Sequence, residues 1–388
     1  MRKRLLLLAL LTTLLSASSS EKDTSASKSE FEAYKQAQNK EFKDYKTKMQ
    51  EEYKNYKKEL SKYWEEPKLS SKKQWVSYTK DKKSRSNVDF AKNSYSVEVI
   101  AKTLDDAKKK LKERITYIAG KNTKEVVQTD PLQKKIAQIS KSPDVVSSSV
   151  NAKPILTTLL FPRQPSKAEL NTYAMQTIQA NKITQTKAKD KKENIYKVVV
   201  KLPKNSKIKL SAVYQTDVSK NSKEYKMPVD LLFAIMQTES DFNPFAKSHI
   251  PAYGLMQLVP WSGGADAYRM IYKKKGKPSA TYLYNSSNNI QMGTAYLHIL
   301  YYRYLRKIKD PQSRLYCTIA AYNTGAGNIA WAFTRTTNMN KAAPKINAMT
   351  SEQVYAHLLS NLKYDEPKHY LKRVNKRMKV YKIAYRDL

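Results

Sequence analysis

One glutamate closes a strongly apolar helical stretch. In "PVDLLFAIMQTES", Glu239 lies four and three residues after Ile235 and Met236, so all three side chains share one helical face. A carboxyl on a buried face either is desolvated, which raises its pKa, or is stabilised by hydrogen bonds. The desolvated form could donate a proton near neutral pH. Glu239 is therefore a candidate general acid, and a surface residue at a helix end is the alternative.

Loops that contain glycine follow this helix. Seven of the eight glycines lie after Lys207, some of them in "GLMQ" (254–257) and "AYNTGAG" (321–327). Glycine allows positive φ and lets a ligand approach the backbone closely. These two loops are predicted to line one site with the acid.

The chain is strongly basic. It has 72 Lys and Arg against 34 Asp and Glu, a formal net charge of +38 over 388 residues. This balance favours a polyanionic partner, such as nucleic acid, an anionic membrane face or an acidic cell-wall polymer; a composition that serves only solubility is the alternative. The single Cys317 excludes an intramolecular disulfide, and its apolar surroundings predict a buried structural thiol. The four histidines lack the spacing of a metal site, so we expect no metal and no cofactor.

The N-terminus has the pattern of an export signal. "MRKR" precedes an apolar run of eleven residues, which is too short for a membrane span and typical of a signal peptide. A bacterial lipoprotein would carry Cys at position 18, but the Ser18 hydroxyl cannot form the thioether. As written, the protein is predicted to be exported, periplasmic and unanchored; it would be outer-membrane-associated if the native residue were Cys. Export argues against a nucleic-acid partner.

Residues 42–63 predict an amphipathic helix. Apolar and aromatic residues recur every three or four positions there, opposite a Lys/Glu face. Such a stripe packs on a neighbouring domain or a partner helix, or attaches to a membrane surface. Pro67 is predicted to end the helix, and the Ser-, Lys- and Asp-rich residues 19–30 before it are predicted to be a flexible leader.

The fold class predicted is α+β. Alternation over 87–101 predicts a strand or hairpin, 103–118 a helix and 194–202 a strand. A mostly α-helical C-terminal domain follows. The predicted organisation is a signal peptide (1–18), a polar leader with a charged helix (19–66), a small α+β domain (67–205) and a catalytic domain (206–388).

Four ordered motifs resemble those of the soluble-lytic-transglycosylase family. They lie within residues 228–374, and the wider resemblance extends over most of 67–385. The motifs read "ESDFNP" (239–244), "GLMQ" (254–257), "AYNTGAG" (321–327) and "EPKHYLKRV" (366–374). The resemblance implies a goose-type lysozyme-like fold. It also implies cleavage of the β-1,4 bond between N-acetylmuramic acid and N-acetylglucosamine without water, leaving a 1,6-anhydro end.

The scarcity of acids agrees with that reaction. Ordinary glycosidases need two carboxylates flanking the bond. After Glu239 the sequence offers Asp241, which at i+2 points away on a helix, and then Asp266. One acid suffices if the substrate's N-acetyl oxygen attacks the anomeric carbon and the same Glu then deprotonates the 6-hydroxyl.

The resemblance implies further site residues. Ser248 matches a serine that orients the N-acetyl group, although Ile250 stands where the family often has a second polar residue. Ser240 and Asn243 are predicted to hold the helix end and the loop. Core packing is the alternative for the methionine and tyrosines of the remaining set. These are the sugar-contacting pair Met256 and Gln257, the groove residues Tyr322 and Asn323, and Tyr370, which approaches the catalytic Glu.

Two other functions remain open from the sequence. One is a lysozyme-like hydrolase that uses water, and the other is a catalytically idle peptidoglycan-binding scaffold. The expected partners are peptidoglycan glycan strands, together with possible cell-wall proteins bound through the α+β domain.

Position 18 generates a test of location. Osmotic shock should release the Ser18 protein with the soluble periplasmic fraction, because it lacks the acyl chains that anchor a lipoprotein. A Ser18→Cys variant should move to the membrane and incorporate radioactive palmitate. Recovery of the Ser18 protein in a salt-washed membrane pellet would contradict the prediction and point to another anchor, such as the helix over 31–64.

Overall fold

The computed structural model describes residues 21–139 and 144–387. It contains one five-stranded antiparallel sheet and many helices, most of which lie after the sheet. The predicted α+β class, with a mostly helical C-terminal part, is confirmed. Backbone contacts divide the chain after Tyr45 into a short unit and a long unit that begins at Lys46. The predicted signal peptide, 1–18, lies outside the described residues.

Helix α1 (Glu21–Leu60) crosses this division. The flexible leader expected over 19–30 is wrong for residues 21–30, which are helical; 19 and 20 lie outside the described residues. The stretch from 21 to 60 contains neither Gly nor Pro, so nothing interrupts a helix there. The helix ends at Leu60, seven residues before Pro67. Within the long unit its apolar stripe faces inward, with Met49 and Leu60 buried.

The sheet has the strand order β1-β2-β3-β6-β5. The predicted strand or hairpin over 87–101 is a hairpin of β2 and β3, and the strand over 194–202 is β6. Helix α2 begins after Thr103, whose hydroxyl accepts from the Asp106 amide, and packs on β2 and β3. The strands are β1 (Gln74–Tyr78), β2 (Ser84–Asp89), β3 (Ser94–Ala101), β5 (Thr184–Lys187) and β6 (Asn194–Lys201), while β4 (Val145–Val146) pairs with β7 (Lys277–Pro278).

Five helices accompany the sheet. They are α2 (Leu104–Gly120), α3 (Thr123–Thr129), α4 (Pro131–Ile139), α5 (Thr157–Leu160) and α6 (Lys167–Ala180). All five strands of the sheet fall inside the predicted segment 67–205, although the domain boundaries themselves stay predictions.

Helix α9 forms the centre of the helical part. It packs against α8 and α17, and nearly all of its residues are buried. The helices are α7 (Ser206–Ala212), α8 (Gln215–Tyr225), α9 (Val229–Ser240), α10 (Ala265–Tyr272), α11 (Ala280–Tyr284), α12 (Ser286–Ile299), α13 (Pro311–Thr324), α14 (Ala326–Thr334), α15 (Met339–Asn347), α16 (Ser351–Asn361) and α17 (Asp365–Ala384), with π-helical turns at Pro260–Gly264 and Leu300–Tyr304.

Two further findings concern the described residues alone. Cys317 is buried on α13, as predicted, and burial raises the pKa of its thiol. Across 21–139 and 144–387, none of the helices combines the length and apolarity that crossing a membrane requires.

Candidate active site

The last turn of α9 holds the Glu239 side chain in a largely buried position. Its side chain is 8% exposed. Ser240 fixes this end of the helix: its hydroxyl donates to the carbonyls of Met236 and Leu255, both at 2.9 Å, and accepts from the Phe242 amide. The helix stops there because Asp241 and Phe242 adopt positive φ. The structural role predicted for Ser240 is confirmed.

Burial raises the pKa of the Glu239 carboxyl, which is the first of the two alternatives that the apolar spacing left open. Two groups oppose part of this rise. Lys72 places its Nζ 3.5 Å from Glu239 Oε2, and the Tyr370 hydroxyl acts in the same direction. The charge of Glu366 adds to the rise. The net result is a pKa for the Glu239 carboxyl above that of an ordinary glutamate.

The pKa of Asp241, two residues after Glu239, is shifted in the opposite direction. Burial would raise the pKa of its carboxyl, but Lys207 and Lys73 together outweigh burial and hold that pKa below its usual range. Lys73 Nζ lies 2.7 Å from one carboxylate oxygen and Lys207 Nζ 3.0 Å from the other. Asp241 is thus an ionised structural group.

The "GLMQ" loop is shaped by a buried amide that the sequence analysis missed. Asn289, on α12, donates to the carbonyls of Tyr253 and Leu283, both at 2.9 Å, and accepts from the Met256 amide at 2.8 Å. Gly254 has a φ of +75°, and a Cβ there would lie 2.3 Å from both Asn289 Nδ2 and the Leu283 carbonyl oxygen. Only glycine fits, because the backbone needs left-handed φ and the space is already filled.

The neighbouring side chains of Met256 and Gln257 have different environments. The Met256 side chain is fully buried, and Gly293 makes room for it, since a Cβ on Gly293 would lie 2.3 Å from its sulfur. Gln257 adopts a φ of +50° and donates from Nε2 to the Gly254 carbonyl. Its Oε1 is buried without a hydrogen-bond partner among the described residues.

Two tyrosines bring distant parts of the chain to Glu239. The Tyr322 hydroxyl donates to the Met256 carbonyl at 2.8 Å, which joins α13 to the "GLMQ" loop. Burial, and next the nearby Glu239 charge, raise the pKa of Tyr322 and of Tyr370. The Tyr370 hydroxyl is buried and faces the Glu239 carboxyl, and it has no other hydrogen-bond partner within the described residues. The structure thus gathers Glu239, Met256, Tyr322 and Tyr370.

In the described part of the chain, Ser248 and Asn323 make no polar contact with the acid. The Ser248 hydroxyl donates to the Ile250 carbonyl within its own loop, and the Ile250 side chain is 57% exposed. Asn323 is half-buried near the end of α13. Among the described residues, neither side chain has a hydrogen bond or ion pair with Glu239.

The segment before β1 packs against the loop that follows α9. Asn243 donates from Nδ2 to the backbone carbonyls of Ser71 and Lys72, and its Oδ1 accepts from the Phe245 amide. The predicted structural role of Asn243 is therefore confirmed. No sequence signal pointed to Lys72, because it precedes Glu239 by more than 160 residues in a chain full of lysines. In the described part of the chain, no group of three His, Cys, Asp or Glu side chains could hold a metal ion.

Comparison with known proteins gives consistent matches. The family model described as "Transglycosylase SLT domain" matches residues 217–344, which include Glu239 and Tyr322 but not Tyr370. Membrane-bound lytic murein transglycosylase C from Serratia proteamaculans is 34% identical over 79% of this chain and 82% of its own length. The Sodalis glossinidius protein of that name is 35% identical over the same shares.

Solved structures also match in part. The lytic transglycosylase Slt of Pseudomonas aeruginosa, an inactive mutant, is 20% identical, covers 45% of this chain and 25% of its own, and has a TM-score of 0.35. The 70 kDa soluble lytic transglycosylase of Escherichia coli is 23% identical, covers 44% of this chain and 24% of its own, and has a TM-score of 0.33.

We expect the Asn289 amide to stabilise the fold. An Asn289→Ala variant removes three buried hydrogen bonds, and although the Tyr253 carbonyl still accepts from the Leu258 amide, the Met256 amide and the Leu283 carbonyl lose this partner. Its free energy of unfolding in urea should therefore fall by about 2–4 kcal/mol. Asn288→Ala is the matched control, because that side chain makes one bond, to Ser148; it should cost less than about 1 kcal/mol. Equal losses would contradict this role of Asn289.

The raised pKa of Glu239 generates a second test. As pH rises past the ordinary glutamate value of 4.5, the unfolded chain releases this proton before the folded protein does. The wild type therefore loses stability relative to Glu239→Gln with increasing pH. The difference in unfolding free energy between the two proteins, measured in urea from about pH 4 to pH 8, should shift steadily in favour of the Gln variant. A pH-independent difference would show that folding leaves this pKa unchanged.

Proposed function

Because this chain belongs to the family of the membrane-bound lytic murein transglycosylases, we propose that it cleaves peptidoglycan strands and leaves 1,6-anhydro-N-acetylmuramic acid ends. The observation that carries the proposal is the state of the carboxyls at the site. Glu239 is buried with a raised pKa, whereas the neighbouring Asp241 is held ionised by two lysines and Glu366 pairs with Arg373 at 3.1 Å. This arrangement supports a mechanism with a single acid.

In the first step, Glu239 donates its proton to the glycosidic oxygen. The bond between that oxygen and the anomeric carbon of N-acetylmuramic acid breaks, and the leaving sugar departs with a new hydroxyl. The substrate's N-acetyl carbonyl oxygen attacks the anomeric carbon and takes up the positive charge. Glu239 is now a carboxylate.

In the second step, the same carboxylate removes the proton of the 6-hydroxyl. Oxygen 6 attacks the anomeric carbon and displaces the N-acetyl oxygen, which closes the 1,6-anhydro ring. Glu239 regains its proton, and no water is consumed. Its low exposure supports this outcome, because few water molecules can reach the carboxylate that acts as the base.

The surrounding residues have supporting roles in this proposal. The Tyr370 hydroxyl orients Glu239, and Ser248 orients the N-acetyl group after its hydroxyl leaves the Ile250 carbonyl. The sugar-binding groove is formed by Met256, Gln257, Tyr322 and Asn323. Because the Met256 side chain is buried, it acts mainly by shaping its loop.

We also infer that the protein is exported and acts at the cell wall. Its relatives are named membrane-bound, and peptidoglycan lies outside the cytoplasmic membrane. The large positive charge suits a polymer whose peptide stems carry carboxylates. Binding of cell-wall proteins through residues 67–205 remains a prediction.

The product and the acid can be tested together. Purified wild-type protein should release muropeptides from sacculi whose muramic acid ends are lighter by one water than hydrolysed ends, as read by mass spectrometry. Glu239→Gln should lower the release rate by about two to four orders of magnitude, because the amide can neither donate nor accept the proton. Asp266→Asn is the control, because this downstream acid accepts from the Tyr304 hydroxyl at 3.1 Å, and it should stay near the wild-type rate.

Each outcome separates the candidate functions. Reducing ends would make the protein a hydrolase, and no release by the wild type would leave a binding scaffold. Full activity of Glu239→Gln would place the acid at another residue.

A further inference from the structure

The segment before the first strand of the sheet is fixed on the loop that follows α9. Asn243 Nδ2 donates to the carbonyls of Ser71 and Lys72, each at 3.2 Å. Lys73 bonds in two directions, with its ammonium 2.7 Å from Asp241 Oδ2 and its carbonyl accepting from the Phe90 amide at 2.9 Å. Lys72 therefore stands between two fixed points, and its backbone position relative to α9 is set.

From this position Lys72 reaches the acid. Its Nζ lies 3.5 Å from Glu239 Oε2, and its side chain is 45% exposed. Within the described part of the chain, Lys72 is the cation that forms an ion pair with Glu239. The other titratable groups facing that carboxyl are Tyr370 on α17, Tyr322 on α13 and Glu366 at the start of α17. None of these carries a positive charge.

We propose that Lys72 is a positioning residue for the reaction: its ammonium holds the Glu239 side chain and stabilises the negative charge that Glu239 carries between the two proton transfers. This inference rests on the proposed acid–base role of Glu239. Under this proposal, a residue of the α+β part of the chain, Lys72, assists a reaction whose acid lies in the helical part.

The need for such a cation follows from the mechanism. Burial favours the protonated acid that starts the reaction, but it penalises the carboxylate left after the first transfer. An ammonium at 3.5 Å offsets that penalty by its charge, since the distance exceeds the 2.7–2.9 Å of a charge-assisted hydrogen bond. Because Lys72 is partly exposed, solvent screens the effect, and we expect a contribution of about three- to tenfold in rate.

The sign of the pH effect is defined. The first step needs protonated Glu239, so kcat/KM should fall as pH rises through the pKa of that group. Lys72 holds this pKa lower than burial alone would. Removing the ammonium should therefore move the alkaline limb of the profile to higher pH, while kcat at the optimum falls.

The experiment compares three variants of the full chain on a soluble muropeptide oligomer. Lys72→Met should lower kcat by about three- to tenfold, leave KM nearly unchanged and shift the alkaline limb of kcat/KM upward. Lys72→Arg should restore both the rate and the limb, because it keeps the charge. Lys73→Met is the matched control: it removes an equal charge that pairs with Asp241, while the Phe90 amide and the Asn243 side chain still hold the backbone of the segment, so its limb should stay at the wild-type pH.

Two results would overturn the role of Lys72. One is a Lys72→Met limb at the wild-type pH, whether or not kcat falls, since a merely structural defect lowers the rate without moving the limb. The other is an equal shift in Lys73→Met, which would reflect general surface charge. Activity of Glu239→Gln reports separately: if that variant is inactive while Lys72→Met keeps the wild-type limb, the proposed function stands and this inference fails.

Discussion

A carboxyl that must leave water and still be able to ionise is the constraint around which this site is arranged. Glu239 sits at the last turn of a helix whose other residues are nearly all buried, so its surroundings favour the protonated form. Each neighbouring element adjusts that preference: α17 brings the Tyr370 hydroxyl, and the segment before β1 brings the Lys72 ammonium. The helical part supplies the low dielectric, and the sheet part supplies the positive charge.

The chain gives opposite environments to two carboxyls only two residues apart. After Ser240 the backbone turns through positive φ at Asp241, which directs the aspartate toward Lys73 and Lys207. Glu239 remains on the apolar face of the helix. The sharp end of α9 is therefore what separates the buried Glu239 carboxyl with its raised pKa from the ionised Asp241, and the Ser240 hydroxyl fixes that end through the Met236 and Leu255 carbonyls.

Local patterns in the sequence predicted the parts of the fold that depend on local physics. Period-two alternation predicted the hairpin of β2 and β3, and helical spacing predicted that Glu239 would be buried. Two contacts were beyond such reasoning. Lys72 looks like any other lysine until the fold brings it to α9, and Asn289 is one amide among four Asn and Ser residues at the start of α12.

A partial signal for Asn289 did exist. Asn289 shares a helical face with Met292 and Gly293, three and four residues later, and a polar side chain on a buried face has to satisfy its hydrogen bonds inside the protein. The sequence could not say which backbone groups would do so. The helix over 42–63 was predicted, but its extension back to Glu21 was missed for a different reason. The Ser- and Lys-rich composition of that extension resembles a disordered leader, although it contains nothing that breaks a helix.

The Asn289 amide also has a consequence for substrate binding. The Asn289 side chain bonds to three separate points of the backbone, so the "GLMQ" loop loses its conformational entropy already when the protein folds. A flexible loop would lose that entropy only when the sugar strand binds, and the binding free energy would be less favourable by the corresponding amount. Under the proposed function, a glycan strand would meet a loop that is already ordered, so its binding energy could go into distorting the sugar ring and aligning it with Glu239.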